Sequence, residues 1–376
     1  MNSESHYRAE VFDCFERLPQ PHLELLTAAP SFDQTLIWYQ AFVRHLLASN
    51  ERLAIVALSD RSGGAVAVLP LRVGRAHRGP LTVRSVSALT NYYTALFGPA
   101  FAAGIDLEAA SAALIEGVRS ALPGWNLLDL NPIASSSTFF GACQRSLRAS
   151  GCVVQPYFRF GNWYLNVSGR SFAEYLQAMP GRMRSTLTRK SKKLRARSGA
   201  VIEIVQDPQR VDEALAAYEQ IYLKSWKQDE PHKAFIRDIV QRFAEQGWLR
   251  LGLIRLDGAA AAAQIWFTHG GTASIFKLAY DPAFAELSVG SVLTMKLMEN
   301  ALDVDRVSVV DYLCGDDDYK RDWMSARRER WGLRASPWLS LVGLTEVVQA
   351  VGSRLRRLTT RPTATVNPAP ADQAAA

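Results

Sequence analysis

Two stretches of this chain set apolar runs on either side of a polar turn. From Leu53 the sequence reads LAIVALSDRSGGAVAVLPLRV, and from Leu249 it reads LRLGLIRLDGAAAAAQIWFT, with Asp257 and Gly258 at the second turn. Both patterns predict β-hairpins. A third apolar segment follows each hairpin, ending in FGPAF at 97–101 in one half and in YDPAF at 280–284 in the other. Helical spacing comes next: Leu107, Ala110, Leu114, Val118 and Leu122 in the first half, and Val289, Val292, Leu293, Leu297 and Leu302 in the second. A short strand then runs into an aspartate in each, WNLLDL at 125–130 and RVSVVDYL at 306–313. The shared order of helix, hairpin, strand, helix and strand predicts two copies of one α/β unit.

Length agrees, since 376 residues exceed what a single core usually spans. The net charge of +7 is local. Residues 181–199, GRMRSTLTRKSKKLRARSG, hold eight cations and no acid, and without them 43 − 8 = 35 basic residues face 36 acidic ones. Met183, Leu187 and Leu194 form one stripe in this segment, which predicts a helix docked by a narrow face and displaying its charges. Such a cluster calls for an anionic partner: a CoA phosphate, an anionic glycan, a lipid surface or tRNA. Arg182, Arg184, Arg189 and Lys190 are its candidate contacts. The tail after Thr359 is Thr, Pro and Ala without a core pattern, and disorder is expected there.

Four scattered cysteines form no C-x-x-C pair, and no apolar run reaches membrane-spanning length. The amino terminus lacks a basic stretch followed by an apolar one, so a cytoplasmic protein is expected, peripheral to the membrane if the basic segment binds lipid. No G-x-S-x-G elbow, Walker loop or Rossmann fingerprint is present. The acidic stretch DYLCGDDDYKRDW at 311–323 lacks the alternate spacing of a calcium loop, because Asp316, Asp317 and Asp318 are consecutive; no metal is expected. After Gly315, Asp316 or Asp317 is placed to cap a short helix.

The order of the repeated unit resembles the GNAT acyltransferase fold. In that family the third strand splays from the next, the pantetheine of acyl-CoA lies in the gap, and amides at the following helix start hold the pyrophosphate. ELSVGSVL at 286–293 stands at that place and makes Ser288, Val289, Gly290 and Ser291 the cofactor-binding candidates, with Lys320. The first half carries Asp106 and Glu108 there instead, which opposes a pyrophosphate. MPGRMRSTLTRKSKKL, YDPAFAELSVGSVL and GDDDYKRDW narrow the resemblance to acetyltransferases of cellulose and exopolysaccharide biosynthesis, relatives of the Fem peptidyltransferases.

The resemblance implies two tandem GNAT-like domains, each a mixed, mostly antiparallel sheet flanked by helices. Residues 1–160 form the unit without donor, 161–340 the transferase unit, and 341–376 a helix and tail. It also implies acyl transfer from acetyl-CoA or a longer acyl-CoA to an amine, on a small molecule or on a glycan or lipid-linked acceptor. Asp311 and Asp316 are the candidate bases. Tyr280, Tyr312 and Tyr319 are candidate donors to the departing thiolate, and Trp226 and His232 could line the acceptor side. Two alternatives remain: a Fem-like transferase using aminoacyl-tRNA, and a degenerate pair acting as a scaffold in polysaccharide synthesis.

Overall fold

The computed structural model of the chain describes residues 6–78, 80–225, 229–340 and 343–344. The first half runs β1 (Tyr7–Phe12), α1 (Gln20–Thr27), α2 (Leu36–His45), β2 (Arg52–Asp60), β3 (Ala65–Arg78), β4 (Leu81–Ala88), β5 (Ala100–Phe101), α3 (Leu107–Ala121), β6 (Leu127–Ala134), α4 (Thr138–Ala149) and β7 (Cys152–Asn166). The second runs α5 (Phe172–Ala178), α6 (Gly181–Arg195), β8 (Ala200–Val205), α7 (Val211–Lys224), α8 (Lys233–Glu245), β9 (Leu249–Leu256), β10 (Ala259–His269), β11 (Thr272–Tyr280), α9 (Val289–Glu299), β12 (Val309–Asp311), α10 (Asp318–Trp323) and β13 (Ala326–Pro337).

Both hairpins form as read, β2 with β3 and β9 with β10, and each third strand joins its hairpin antiparallel. In each half that third strand then pairs in parallel with the strand after the helix: β4 with β6, and β11 with β12. The repeat seen in the sequence is therefore a repeat of topology. Mixed sheets flanked by helices are the architecture of each half.

The two sheets are joined into one of thirteen strands, in the order β1-β2-β3-β4-β6-β13-β7-β12-β11-β10-β9-β8, with β5 beside β3. The halves exchange their last strands. β7, at the end of the first half, pairs with β12 of the second, while β13, at the end of the chain, pairs with β6 of the first. β7 and β13 also pair with each other across twelve residue pairs, from Ala326↔Tyr164 to Pro337↔Cys152. The division expected at 160/161 falls inside β7, which pairs with both β12 and β13.

Alternation along the strands sends side chains to opposite cores. In β2, Leu53, Ile55 and Ala57 enter a core shared with α1, α2, α7 and α8, whereas Ala54, Val56 and Leu58 enter the core under α3 and α4. A third core lies under α5, α6 and α9. The shared core draws residues from both halves, including Trp38, Phe42, Phe235 and Phe267. It locks them together at the face where the site below is assembled. Trp226 and the tail beyond Leu344 lie outside the described residues.

Candidate functional site

β11 and β12 are paired only at Thr272↔Val309, Ala273↔Val310 and Ser274↔Asp311. Beyond that point the chains diverge. A bulge sits at the parting: Ile265 faces Lys277 and Trp266 faces Ile275, leaving Phe276 as the extra residue. Bulges re-aim side chains. Here Ile275 stays in the core under α9, while Phe276 and Lys277 both turn toward Tyr93, with the Lys277 ammonium 4.4 Å from the Tyr93 ring centre. The splay opens into a cavity of about 1180 Å³, walled by β11, the segment after β12, the first turns of α9 and α6, α10, and the tyrosines Tyr92 and Tyr93 of the first half.

The start of α9 faces this cavity. Ser288 adopts a left-handed backbone (φ 54°, ψ 41°) and makes no side-chain cap, so the amides of Gly290 and Ser291, both cavity-lining residues, are left open to a ligand. A Cβ added at Gly290 would meet the Tyr280 ring at 3.3 Å, so glycine keeps this approach clear. Gln264, buried at the cavity floor, fixes the turn by donating to the Gly290 carbonyl (3.0 Å) and the Thr294 hydroxyl (2.8 Å), while its own carbonyl accepts from the Trp266 indole (2.9 Å).

The equivalent place in the first half is closed. Asp106 caps α3 by accepting from the amides of Glu108 (2.9 Å) and Ala109 (3.1 Å). The β4/β6 splay is filled by the chain itself: the Phe97 amide donates to Pro132 (2.6 Å), the Thr90 hydroxyl donates to Asn131 (2.9 Å), and the Phe97 ring is buried. One helix start is sealed by its own carboxylate, and the other is left open on a cavity.

A polar cluster built around buried Glu230 and Tyr93 sits where the halves meet, with Tyr92 exposed at its edge. Glu230, in the segment between α7 and α8, accepts from Lys277 (2.5 Å), from the Tyr92 hydroxyl (3.0 Å) and from the Tyr93 hydroxyl. Burial depresses the Lys277 pKa, and the hydrogen bond and charge of Glu230 oppose that shift only in part. Buried Asp33 positions the two tyrosines by accepting from the amides of Ala95 and Leu96 (both 2.8 Å). None of these residues stood out in the sequence. Tyr92 and Glu230 are 138 positions apart, and neither Glu230 nor Lys277 belongs to a motif.

The expected site residues divide between the cavity and its surroundings. Tyr280, Tyr319, Lys320, Gly290, Ser291 and Arg182 line the cavity, as does Tyr312. Burial, aided by the charge of Asp317, pushes the Tyr319 pKa up to about 12, so this hydroxyl stays protonated at neutral pH. Lys320 is buried and committed to the Cys314 carbonyl (2.5 Å) and to Asp317 (3.1 Å). The Cys314 thiol, also on the cavity, is pushed by burial to about 12 and is no thiolate nucleophile at neutral pH. His232 stands beside the tyrosines, its ring centre 6.1 Å from that of Tyr92.

Asp311 and Asp316, the expected bases, are not among the residues that line the cavity. Asp311 accepts from Asn162 (2.6 Å), from the Leu313 amide (2.7 Å) and from Arg328, tying β12 to β7 and β13. Asp316 is held by Arg327, with contacts of 2.6 and 2.9 Å, and by the Trp163 indole (2.8 Å), and these partners lower its pKa. Asp317 occupies the cap position of α10 without making the cap bond. Val289 is buried in the core under α9, and Ser288 precedes the helix. Arg184, Arg189 and Lys190 lie outside the cavity lining, with Arg184 donating to the Gln177 carbonyl and Lys190 to the Glu286 carbonyl. Among the described residues no group of three or more His, Cys, Asp or Glu could hold a metal ion.

Residues 181–321 match the family model described as the acetyltransferase (GNAT) domain. This span carries the open splay and α9. The crystal structure of FemX shares the fold, with a TM-score of 0.59 at 12% identity over 86% of this chain and 96% of FemX. The C-terminal domain of a putative lysylphosphatidylglycerol synthetase from Agrobacterium fabrum does so at 0.51 and 13% identity, over 88% of this chain and 95% of that domain. No curated protein matches the sequence. Together the domain match and the topology support an acyltransferase of GNAT fold.

Proposed function

We propose that the chain is an acyl-CoA-dependent N-acyltransferase, of the exopolysaccharide-biosynthesis type that its motifs resemble. It acts on an amine of a cell-envelope, polysaccharide-precursor or small-molecule acceptor. The observation that carries this reading is the contrast between the two equivalent helix starts: Asp106 seals α3, whereas α9 presents uncapped amides to a cavity at the strand splay. The residues fit the donor. The amides of Gly290 and Ser291 and the guanidinium of Arg182 suit its phosphates, and the gap between β11 and the segment after β12 suits its extended arm.

Bound acyl-CoA supplies an activated thioester carbonyl. The chain's own residues handle the protons. Glu230 is the proton sink for the acceptor ammonium, reached from the cavity through the hydroxyls of Tyr92 and Tyr93. Lys277 pairs with Glu230 and holds it beside the two tyrosines. Tyr280 and Tyr319 line the cavity as candidate donors to the departing thiolate. Direct attack by the amine needs no enzyme nucleophile, in keeping with the protonated Cys314.

The test is thiol release from acetyl-CoA across a set of primary amines and matched alcohols. Amine-dependent release supports the reading. Release with the alcohols alone, or with none of the compounds, contradicts it.

A further inference from the structure

The eight cations of the basic segment are not needed by the cavity, since Arg182 alone among them lines it. α6 docks through Leu187, Ser191 and Leu194, which are buried. Arg182, Arg189 and Lys193, spaced seven and four apart, stand on the opposite side and cover roughly 16 Å of helix. Lys192 and Arg195 flank that stripe, and both are exposed. Arg197 pairs with Asp257, but among the described residues no carboxylate pairs with Arg182, Arg189, Lys192, Lys193 or Arg195.

A second hollow, about 520 Å³, opens on the same helix. Phe172, Leu176 and Met295 give it an apolar floor; Lys192 and Arg195 stand on its rim, where Glu299 is the acid and is paired with Lys296 at 2.9 Å. Cations beside an apolar groove match an anionic headgroup joined to a hydrocarbon chain. A nucleic acid fits less well, because α6 carries no aromatic residue on which a base could stack.

We infer that the outer face of α6 and the groove between α5, α6 and α9 form a docking site for an anionic phospholipid bilayer. The cations hold headgroup phosphates, and the groove takes an acyl chain. α6 walls both this groove and the donor cavity, so docking would set the cavity mouth near the membrane surface. The inference stands apart from the acyl-transfer reading and is tested without acyl-CoA.

The experiment is sedimentation of the full chain with vesicles of phosphatidylcholine, alone or mixed with phosphatidylglycerol, at low and high salt. The expected result is salt-sensitive binding to the anionic vesicles only. The combined variant Arg189→Ser, Lys192→Ser, Lys193→Ser and Arg195→Ser should weaken partitioning by about two to three orders of magnitude at low salt. Thr188→Trp, which fills the groove without changing charge, should weaken it several-fold; circular dichroism confirms that each variant is folded. Failure to bind anionic vesicles, equal binding by the charge variant, equal binding after Thr188→Trp, or retention of tRNA in place of vesicles would each overturn the inference.

Discussion

Lys277 donates to Glu230 at 2.5 Å, and the pair is assembled from two separate requirements of the fold. The bulge at Phe276 turns Lys277 out of the strand's regular alternation, and the segment between α7 and α8 delivers Glu230 to meet it. The first half completes the cluster with Tyr92 and Tyr93, so neither half holds it alone.

If this cluster takes the acceptor's proton, Glu230→Gln should lower kcat by about 10²–10⁴ with any amine that supports turnover, leaving acetyl-CoA affinity unchanged. Tyr93→Phe should lower kcat in the same direction. Steady-state kinetics alongside donor titration separates these effects from a loss of donor binding.

The same pair makes a stability prediction. Glu230→Leu strands a buried ammonium and should cost about 3–5 kcal/mol, whereas Glu230→Leu with Lys277→Met replaces the pair by apolar groups and should restore or raise Tm. Thermal melts of the single and double variants check this. A double variant less stable than either single would contradict it.

Asp311 fastens the exchanged strands. Its carboxylate is buried, but the Arg328 side chain is 37% exposed, so Asp311→Ala should cost somewhat less than the usual penalty for a broken buried pair, about 2–3 kcal/mol. Denaturant unfolding measures this.

Asp316 supplies a pH dependence. The guanidinium of Arg327 lowers its pKa below the ordinary value of 3.8, so its contribution to stability is present above that pH and is lost as pH falls through the folded value. The Tm difference between wild type and Asp316→Asn should therefore shrink in acid. It should also shrink in salt, because the pair is solvent-exposed.

The topology was legible because hydrophobic period and turn chemistry are local. The two hairpins, the helical stripes of α3 and α9, and the docked stripe of Leu187 and Leu194 on α6 could all be read that way. Leu107 is an exception: it matches the α3 spacing but is 41% exposed at the helix start. The exchange of β7 and β13 was not legible, because strand partners are chosen by long-range packing and each strand alone only announces itself. The position of Gly290 at the start of α9 was legible, because a helix start after a strand is a local pattern, so a candidate donor side could be proposed. The acceptor side could not, because Tyr92, Glu230 and Lys277 come from three distant segments and are brought together by a bulge and a buried carboxylate. The arginine partners of Asp311 and Asp316 were not legible for a related reason: a carboxylate at a strand end reads alike whether it faces a cavity or an arginine.

The most direct test of the central claim is calorimetric titration of the full chain with acetyl-CoA, beside Gly290→Glu. That substitution places a carboxylate at the open start of α9 and a Cβ against Tyr280. Saturable binding to the wild type and its loss in a folded Gly290→Glu protein are expected. No binding to the wild type, or equal binding to both, would contradict the claim.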